Sequence, residues 1–78
     1  MAIIGEQLRA ARALARLEQG ELAERAKVSV GTIKRLEAIV GPVSANVITV
    51  DAVVRALEAA GVAFTNGGEP GVKLRKPE

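Results

Sequence analysis

The chain has 78 residues, with 11 lysine and arginine residues against 9 acidic ones, and it contains no cysteine, histidine, tryptophan or tyrosine. A chain of this length forms one small core worth about 3 to 5 kcal/mol of net stability, so we expect a second copy to support it. Without cysteine that support is neither a disulfide nor a thiolate metal site, and we expect a cytoplasmic protein. Without histidine, the commonest general base and metal ligand is missing, so we expect no enzyme activity, metal or cofactor.

No apolar run approaches the roughly 20 residues that a membrane span requires, so we expect no membrane partner. Nothing in the sequence points to a small-molecule ligand. The positive charge is concentrated in the first half of the chain and at its end, where Lys73, Arg75 and Lys76 form a basic tail.

The first half of the chain carries apolar residues at helical spacing. In the first stretch these are Ile4, Leu8, Ala11 and Leu14. The spacing predicts a helix over residues 4–17 and a second over residues 18–26, whose buried face comprises Leu22, Ala23 and Ala26. Lys27 and Val28 break the pattern, and Val28 is expected to fill the corner that follows.

A third helix is predicted over residues 30–39. Ser29 precedes it and is a good N-cap because its hydroxyl can accept an unpaired backbone N–H. Ile33 and Leu36 are expected to face the core, which leaves Thr32, Lys34 and Arg35 on the other side. Two helices joined by so short a turn are typical of the helix-turn-helix, whose second helix enters the DNA major groove.

The second half of the chain predicts one more helix and a small β element. Thr49 is expected to cap helix four, with Asp51 in its first turn and Gly61 at its end. Val62, Phe64, Val72 and Leu74 then alternate with polar residues around the turn sequence NGGEPG. This pattern favours a β-hairpin or a single strand, which must find cover on the helices or on a second copy of the chain.

The resemblance to a known family rests on a series of matched positions. These are Leu17, Gln19, Leu22, Ala23, Val28, Ser29, Thr32, Ile33 and Glu37. With them the sequence resembles the Cro/CI-type (XRE) helix-turn-helix family. The resemblance implies a mainly α, compact, four- to five-helix lambda-repressor-like domain over residues 1–61. Residues 62–78 would add a C-terminal β-hairpin or strand and a basic tail, which together could serve as a dimerisation element.

The resemblance also implies roles for particular residues. Gln19 would contact a backbone phosphate, Val30, Gly31 and Thr32 would approach base edges, and Arg12 would form a structural salt bridge with Glu37. Arg35 suits a bidentate guanine contact, whereas Lys27, Ser29 and Lys34 suit phosphates. Two departures from the family pattern are Glu18 at the usual Ser or Thr cap and Lys27 where glycine often takes a positive φ.

Plainer interpretations stand beside these roles. Lys34 and Arg35 could form an ordinary solvated helix face, and Thr32 could bond a carbonyl of its own helix. Val62, Phe64, Val72 and Leu74 could be core residues or a dimer interface.

Together the patterns predict a transcriptional regulator, most simply a repressor, that binds double-stranded DNA at an inverted repeat as a homodimer. The alternative is a protein-interaction module with the same fold, such as an antitoxin or antiactivator, which engages a protein partner through Phe64 and the hairpin.

Overall fold

The computed structural model describes residues 3–43, 46–66 and 68–75 and contains four helices followed by a two-stranded antiparallel sheet. The elements are α1 (Gly5–Ala15), α2 (Gln19–Ala26), α3 (Val30–Glu37), α4 (Val47–Ala59), β1 (Val62–Thr65) and β2 (Gly71–Leu74). The predicted mainly α fold with a C-terminal hairpin is confirmed. The predicted loop residue Ser44 and the tail residue Lys76 lie outside the described residues.

Helix α1 starts at Gly5, one residue later than predicted, because Ile4 is its extended N-cap. The Ile4 backbone N–H donates to the Gln7 side-chain oxygen at 3.0 Å, which satisfies one of the unpaired donors of the first turn. Gly5 is buried against the end of α3. A Cβ at Gly5 would collide with the backbone oxygen of Ile39 and lie 2.9 Å from that of Leu36, so only glycine allows this close packing.

Helices α2 and α3 are separated by a three-residue turn, as the sequence predicts. Glu18 precedes α2, and its backbone N–H donates to the Glu21 carboxylate at 2.9 Å. Lys27 ends α2 in the left-handed region, with φ of 60°, where the family often has glycine. Ser29 caps α3 as predicted, since its Oγ accepts the Thr32 backbone N–H at 3.1 Å.

Helix α4 starts earlier than predicted, and the assignment of Thr49 as its cap is wrong. The cap is Asn46, whose side-chain oxygen accepts the N–H groups of Ile48 at 2.8 Å and Thr49 at 3.4 Å. Because one carboxamide satisfies two unpaired donors, the β-branched residues that follow are held in helical conformation. The predicted end is confirmed by Gly61, which has a φ of 100°.

The core lies between the four helices and the first strand. Its most deeply buried side chains are Leu8, Leu22, Ile33, Leu36, Val53, Leu57 and Val62. Val28 is half-buried and packs against this core from the turn between α2 and α3. Full burial of one such aliphatic side chain contributes about 1.5 to 3 kcal/mol, so the core anchors in α3 fix that helix from behind.

The hairpin packs on α1 and α4. Its strands are in register with Phe64 opposite Val72. The Gln7 side-chain amide, only 2% exposed, donates to the backbone oxygens of Thr65 at 2.9 Å and Gly71 at 3.1 Å. One buried amide from α1 therefore holds both strands.

Val62 is a correction to the predicted dimer surface. Its side chain is fully buried in the core of its own chain, so it is not available to a second copy. Phe64 and Val72 are half-buried and pack against the same core, whereas Leu74 is 54% exposed.

Candidate nucleic-acid interface

Helix α3 has one buried face and one open face. Ile33 and Leu36 are each 1% exposed and anchor the helix in the core. The open face carries Val30, Gly31, Lys34 and Arg35, all of them exposed. A helix can enter the major groove and contact base edges only when its other side is fixed to the protein. The two faces of α3 meet this requirement for a reading helix, as we call such a helix.

An ion pair connects α1 to the end of α3. The Arg12 guanidinium donates to both oxygens of the Glu37 carboxylate, with Nε at 2.7 Å and a terminal nitrogen at 3.1 Å. A further N–H of Arg12 donates to the Leu17 carbonyl at 2.9 Å. The hydrogen bond to Glu37 raises the pKa of Arg12, against the opposing effect of desolvation. Arg12 therefore stays charged, and its bonds to Glu37 hold the end of α3 against α1.

Gln19 joins this ion pair from the first position of α2. Its side-chain Nε2 donates to a Glu37 oxygen at 3.1 Å, and the residue is half-buried. A carboxamide NH₂ group has two donors, so the bond to Glu37 leaves one N–H for another acceptor. The side chain predicted to meet a phosphate is thus oriented by the same carboxylate that fixes α3.

The polar groups at the start of α3 are bonded to each other. Ser29 Oγ lies 2.9 Å from Thr32 Oγ1 and also accepts the Thr32 backbone N–H. The alternative in which Thr32 bonds a carbonyl of its own helix is not what the structure shows. Each hydroxyl keeps some hydrogen-bonding capacity, because a hydroxyl can donate once and accept twice.

Three cations lie along the turn and the open face of α3. Lys27, Lys34 and Arg35 are all exposed. In the described part of the chain the ion pairs are Arg12 with Glu37 and Arg55 with Asp51, so none of the three cations is neutralised by a neighbouring carboxylate there. This surface is positively charged and suited to an anionic partner.

Two residues of α1 that hold other elements in place could not be identified from the sequence. Gly5 lets the start of α1 approach the last turn of α3, and no sequence signal marks such a close contact. Gln7 pins the hairpin to α1. Its place three residues after Ile4, as in a capping box, was a usable signal for the helix start but not for the hairpin contacts.

Four helices with an anchored but open third helix define a small helix-turn-helix domain. The sequence matches the family described as Helix-turn-helix domain over residues 3–64, and the chain belongs to this family, which is associated with XRE-type regulators. The predicted family is therefore confirmed. Membership indicates a DNA-binding regulator, and such families are typically non-enzymatic. A search of the curated proteins finds no match to the chain.

Within the part of the chain that the structure describes, no helix is long and apolar enough to cross a membrane. Among the same residues, the acidic side chains form no group of three or more that could hold a metal ion.

Proposed function

We propose that the protein is a sequence-specific transcriptional regulator, a cytoplasmic repressor that binds double-stranded DNA with α3 in the major groove. The observation that supports this most directly is the open face of α3, which carries exposed Lys34 and Arg35 while Ile33 and Leu36 are buried on the other side. Repression follows most simply if the bound protein blocks the polymerase.

The proposed readout divides the residues by chemistry. Arg35 reads a guanine through a bidentate contact, and Val30, Gly31 and Thr32 approach base edges at the start of the helix. Lys27, Lys34, Ser29 and Gln19 contact phosphates. The Gln19 amide supports this division, because its bond to Glu37 holds it in one orientation and leaves a second N–H to donate.

We also propose that the protein binds an inverted repeat as a homodimer. A lone small domain makes few phosphate contacts, and a pair of reading helices about 34 Å apart gains affinity and selectivity. The longest extent of the described residues is 33 Å, a length comparable to that spacing. Leu74 on β2 is exposed and offers an apolar contact, flanked by half-buried Phe64 and Val72.

The second candidate is a protein-interaction module, such as an antitoxin or antiactivator. It is supported by apolar side chains that the fold leaves in solvent after α3 and in the first turn of α4: Val40 is 88% exposed, and Val47 and Ile48 are 80% exposed. The hairpin is a weaker basis for this function, because Phe64 packs against its own core.

Selection of bound sequences from a random duplex pool tests the first candidate, and the recovered half-site spacing tests the dimer. A palindrome with half-sites about one helical turn apart supports both, whereas single unpaired sites contradict the dimer.

Three variants then separate DNA binding from a protein partner. Arg35→Ala should lose about 5- to 150-fold in affinity for the selected site and relax its specificity. Lys34→Ala should weaken binding to all sequences and lower the salt slope by about one unit. The control Arg55→Ala removes an exposed cation from α4 and should bind as the wild type does. Unchanged DNA affinity in both α3 variants would favour the protein partner.

A further inference from the structure

The exposed tip of α3 is apolar. Val30 is the first residue of the helix and is 42% exposed. Its side chain can neither donate nor accept a hydrogen bond, and its neighbour Gly31 has no side chain at all. The part of the helix that would lead into the groove therefore offers van der Waals contact rather than hydrogen bonds.

The fold does not explain the glycine at position 31. A Cβ added there would meet only Ser29 Oγ, at 3.8 Å, which is an ordinary contact. Gly31 is not among the glycines with positive φ, and glycine is a poor residue inside a helix. Glycine at an exposed helical position allows another molecule to approach the helix backbone more closely.

The polar groups beside this tip are already paired. Thr32 Oγ1 and Ser29 Oγ lie 2.9 Å apart, and the Ser29 oxygen also caps the helix. These bonds use part of the hydrogen-bonding capacity of both hydroxyls. Val30 and Gly31, which lie between Ser29 and Thr32, can offer a base only shape and apolar contact.

We propose that Val30 recognises the 5-methyl group of a pyrimidine in each half-site, and that Gly31 provides the clearance for this contact. The inference rests on the proposed function and specifies one base of the operator. In the major groove a C5 methyl group is present on thymine and on 5-methylcytosine, and apolar side chains contact it directly. Because Val30 cannot sense the neighbouring oxygen or amino group, the two methylated bases should be equivalent for this residue.

The test uses the duplex recovered by selection, with each pyrimidine of the half-site replaced in turn. At the base that faces Val30, four versions are compared: thymine, uracil, 5-methylcytosine and cytosine, each with its complementary purine. Loss of one buried methyl group predicts about fourfold weaker binding of uracil than of thymine. The same ratio is expected between cytosine and 5-methylcytosine.

The variant Val30→Ala completes the comparison. Its shorter side chain should reduce the dependence on the methyl group in both base pairs, while the variant keeps its preference for the guanine that faces Arg35. Circular dichroism provides the folding check, and because Val30 is partly exposed the substitution should leave the fold intact. A methyl effect that is equally large in Val30→Ala would overturn the inference.

Gly31 has a matched control in Gly20. Both are second residues of eight-residue helices, and a Cβ at Gly20 meets nothing within 4 Å. Alanine at either position should raise the denaturation midpoint, since alanine is the better helix former. Only Gly31→Ala should weaken binding and remove the methyl dependence, whereas equal affinity of the two variants would overturn the role of Gly31.

The outcomes also separate the inference from the proposed function. A recovered consensus that is insensitive to every C5 methyl group overturns the methyl contact and leaves the regulator in place. Failure to recover any consensus overturns both.

Discussion

Replacing Gln7 by glutamate should unfold a large fraction of the molecules at neutral pH, although the change only exchanges one side-chain NH₂ group for an oxygen. Gln7 is 2% exposed and uses its amide to donate to the backbone oxygens of Thr65 and Gly71. In Gln7→Glu an ionised carboxylate would face both oxygens with no proton to donate. Each buried group left unsatisfied costs about 1 to 3 kcal/mol, so the loss is about 2 to 6 kcal/mol. A domain of this size has only about 3 to 5 kcal/mol to lose.

The destabilisation of Gln7→Glu should also depend on pH. Burial raises the pKa of the introduced carboxyl in the folded state, so the variant binds a proton more readily folded than unfolded. Its stability relative to the wild type is therefore highest below the ordinary glutamate pKa of about 4.3, and is lost as the pH rises through the raised value. Protonation also restores one donor to the hairpin.

Urea denaturation followed by circular dichroism measures this effect, because the chain has no tryptophan or tyrosine for fluorescence. The difference in unfolding free energy from the wild type should be taken at each pH. The control Gln7→Met removes the amide without adding charge, and should be destabilised by an amount that does not vary with pH. If the unfolding free energy of Gln7→Glu lies within about 0.5 kcal/mol of the wild type at pH 7, the Gln7 hydrogen bonds to the hairpin contribute little and the reasoning fails.

Three other variants test how α1 positions α3. Gly5→Ala should cost about 1 to 3 kcal/mol because its Cβ would collide with backbone oxygens at the end of α3; an unchanged melting temperature would contradict this contact. Arg12→Ala leaves the 5%-exposed Glu37 carboxylate without its counter-ion and should cost about 3 to 5 kcal/mol, measured by urea denaturation beside the exposed Arg9→Ala as control. The pKa of Glu6 is lowered, mainly because its carboxylate accepts a hydrogen bond from the Gly41 backbone N–H. The stability that this bond contributes is therefore present above the ordinary glutamate pKa and is lost as the pH falls through the lowered pKa. Denaturation of Glu6→Gln between pH 2 and 6 should therefore show a weaker loss of stability in acid than the wild type.

The helices could be predicted from the sequence because their signals are local. Apolar spacing gave α1, α2 and α3, and Ser29 marked the start of α3 because a cap acts within three residues of itself. The start of α4 was missed since Asn46 and Thr49 are both good caps and lie three residues apart. Local preference does not decide between two such candidates, and the Asn46 side chain takes both free N–H groups.

The residues that position the site were harder to find, because their contacts join distant parts of the chain. Gln7 reaches strands 58 and 64 residues away, and Gly5 meets the carbonyls that end α3. The spacing of apolar residues along the sequence does not reveal contacts between such distant residues. The same holds for Gln19, whose sequence position predicts a phosphate contact but not the bond to Glu37 that orients it.

The residue after α1 and the residue after α2 each have a long charged side chain and a backbone conformation that glycine adopts more easily. Arg16 after α1 has a φ of 58°, and Lys27 after α2 has one of 60°. A non-glycine L-residue is disfavoured in that region, so the packing of the helices must hold both residues in it. The orientation of α3 is therefore determined by the packing of the core. For the proposed regulator, we expect the preferred DNA sequence to change through swaps of core side chains of similar volume, even where the residues on the open face of α3 stay the same.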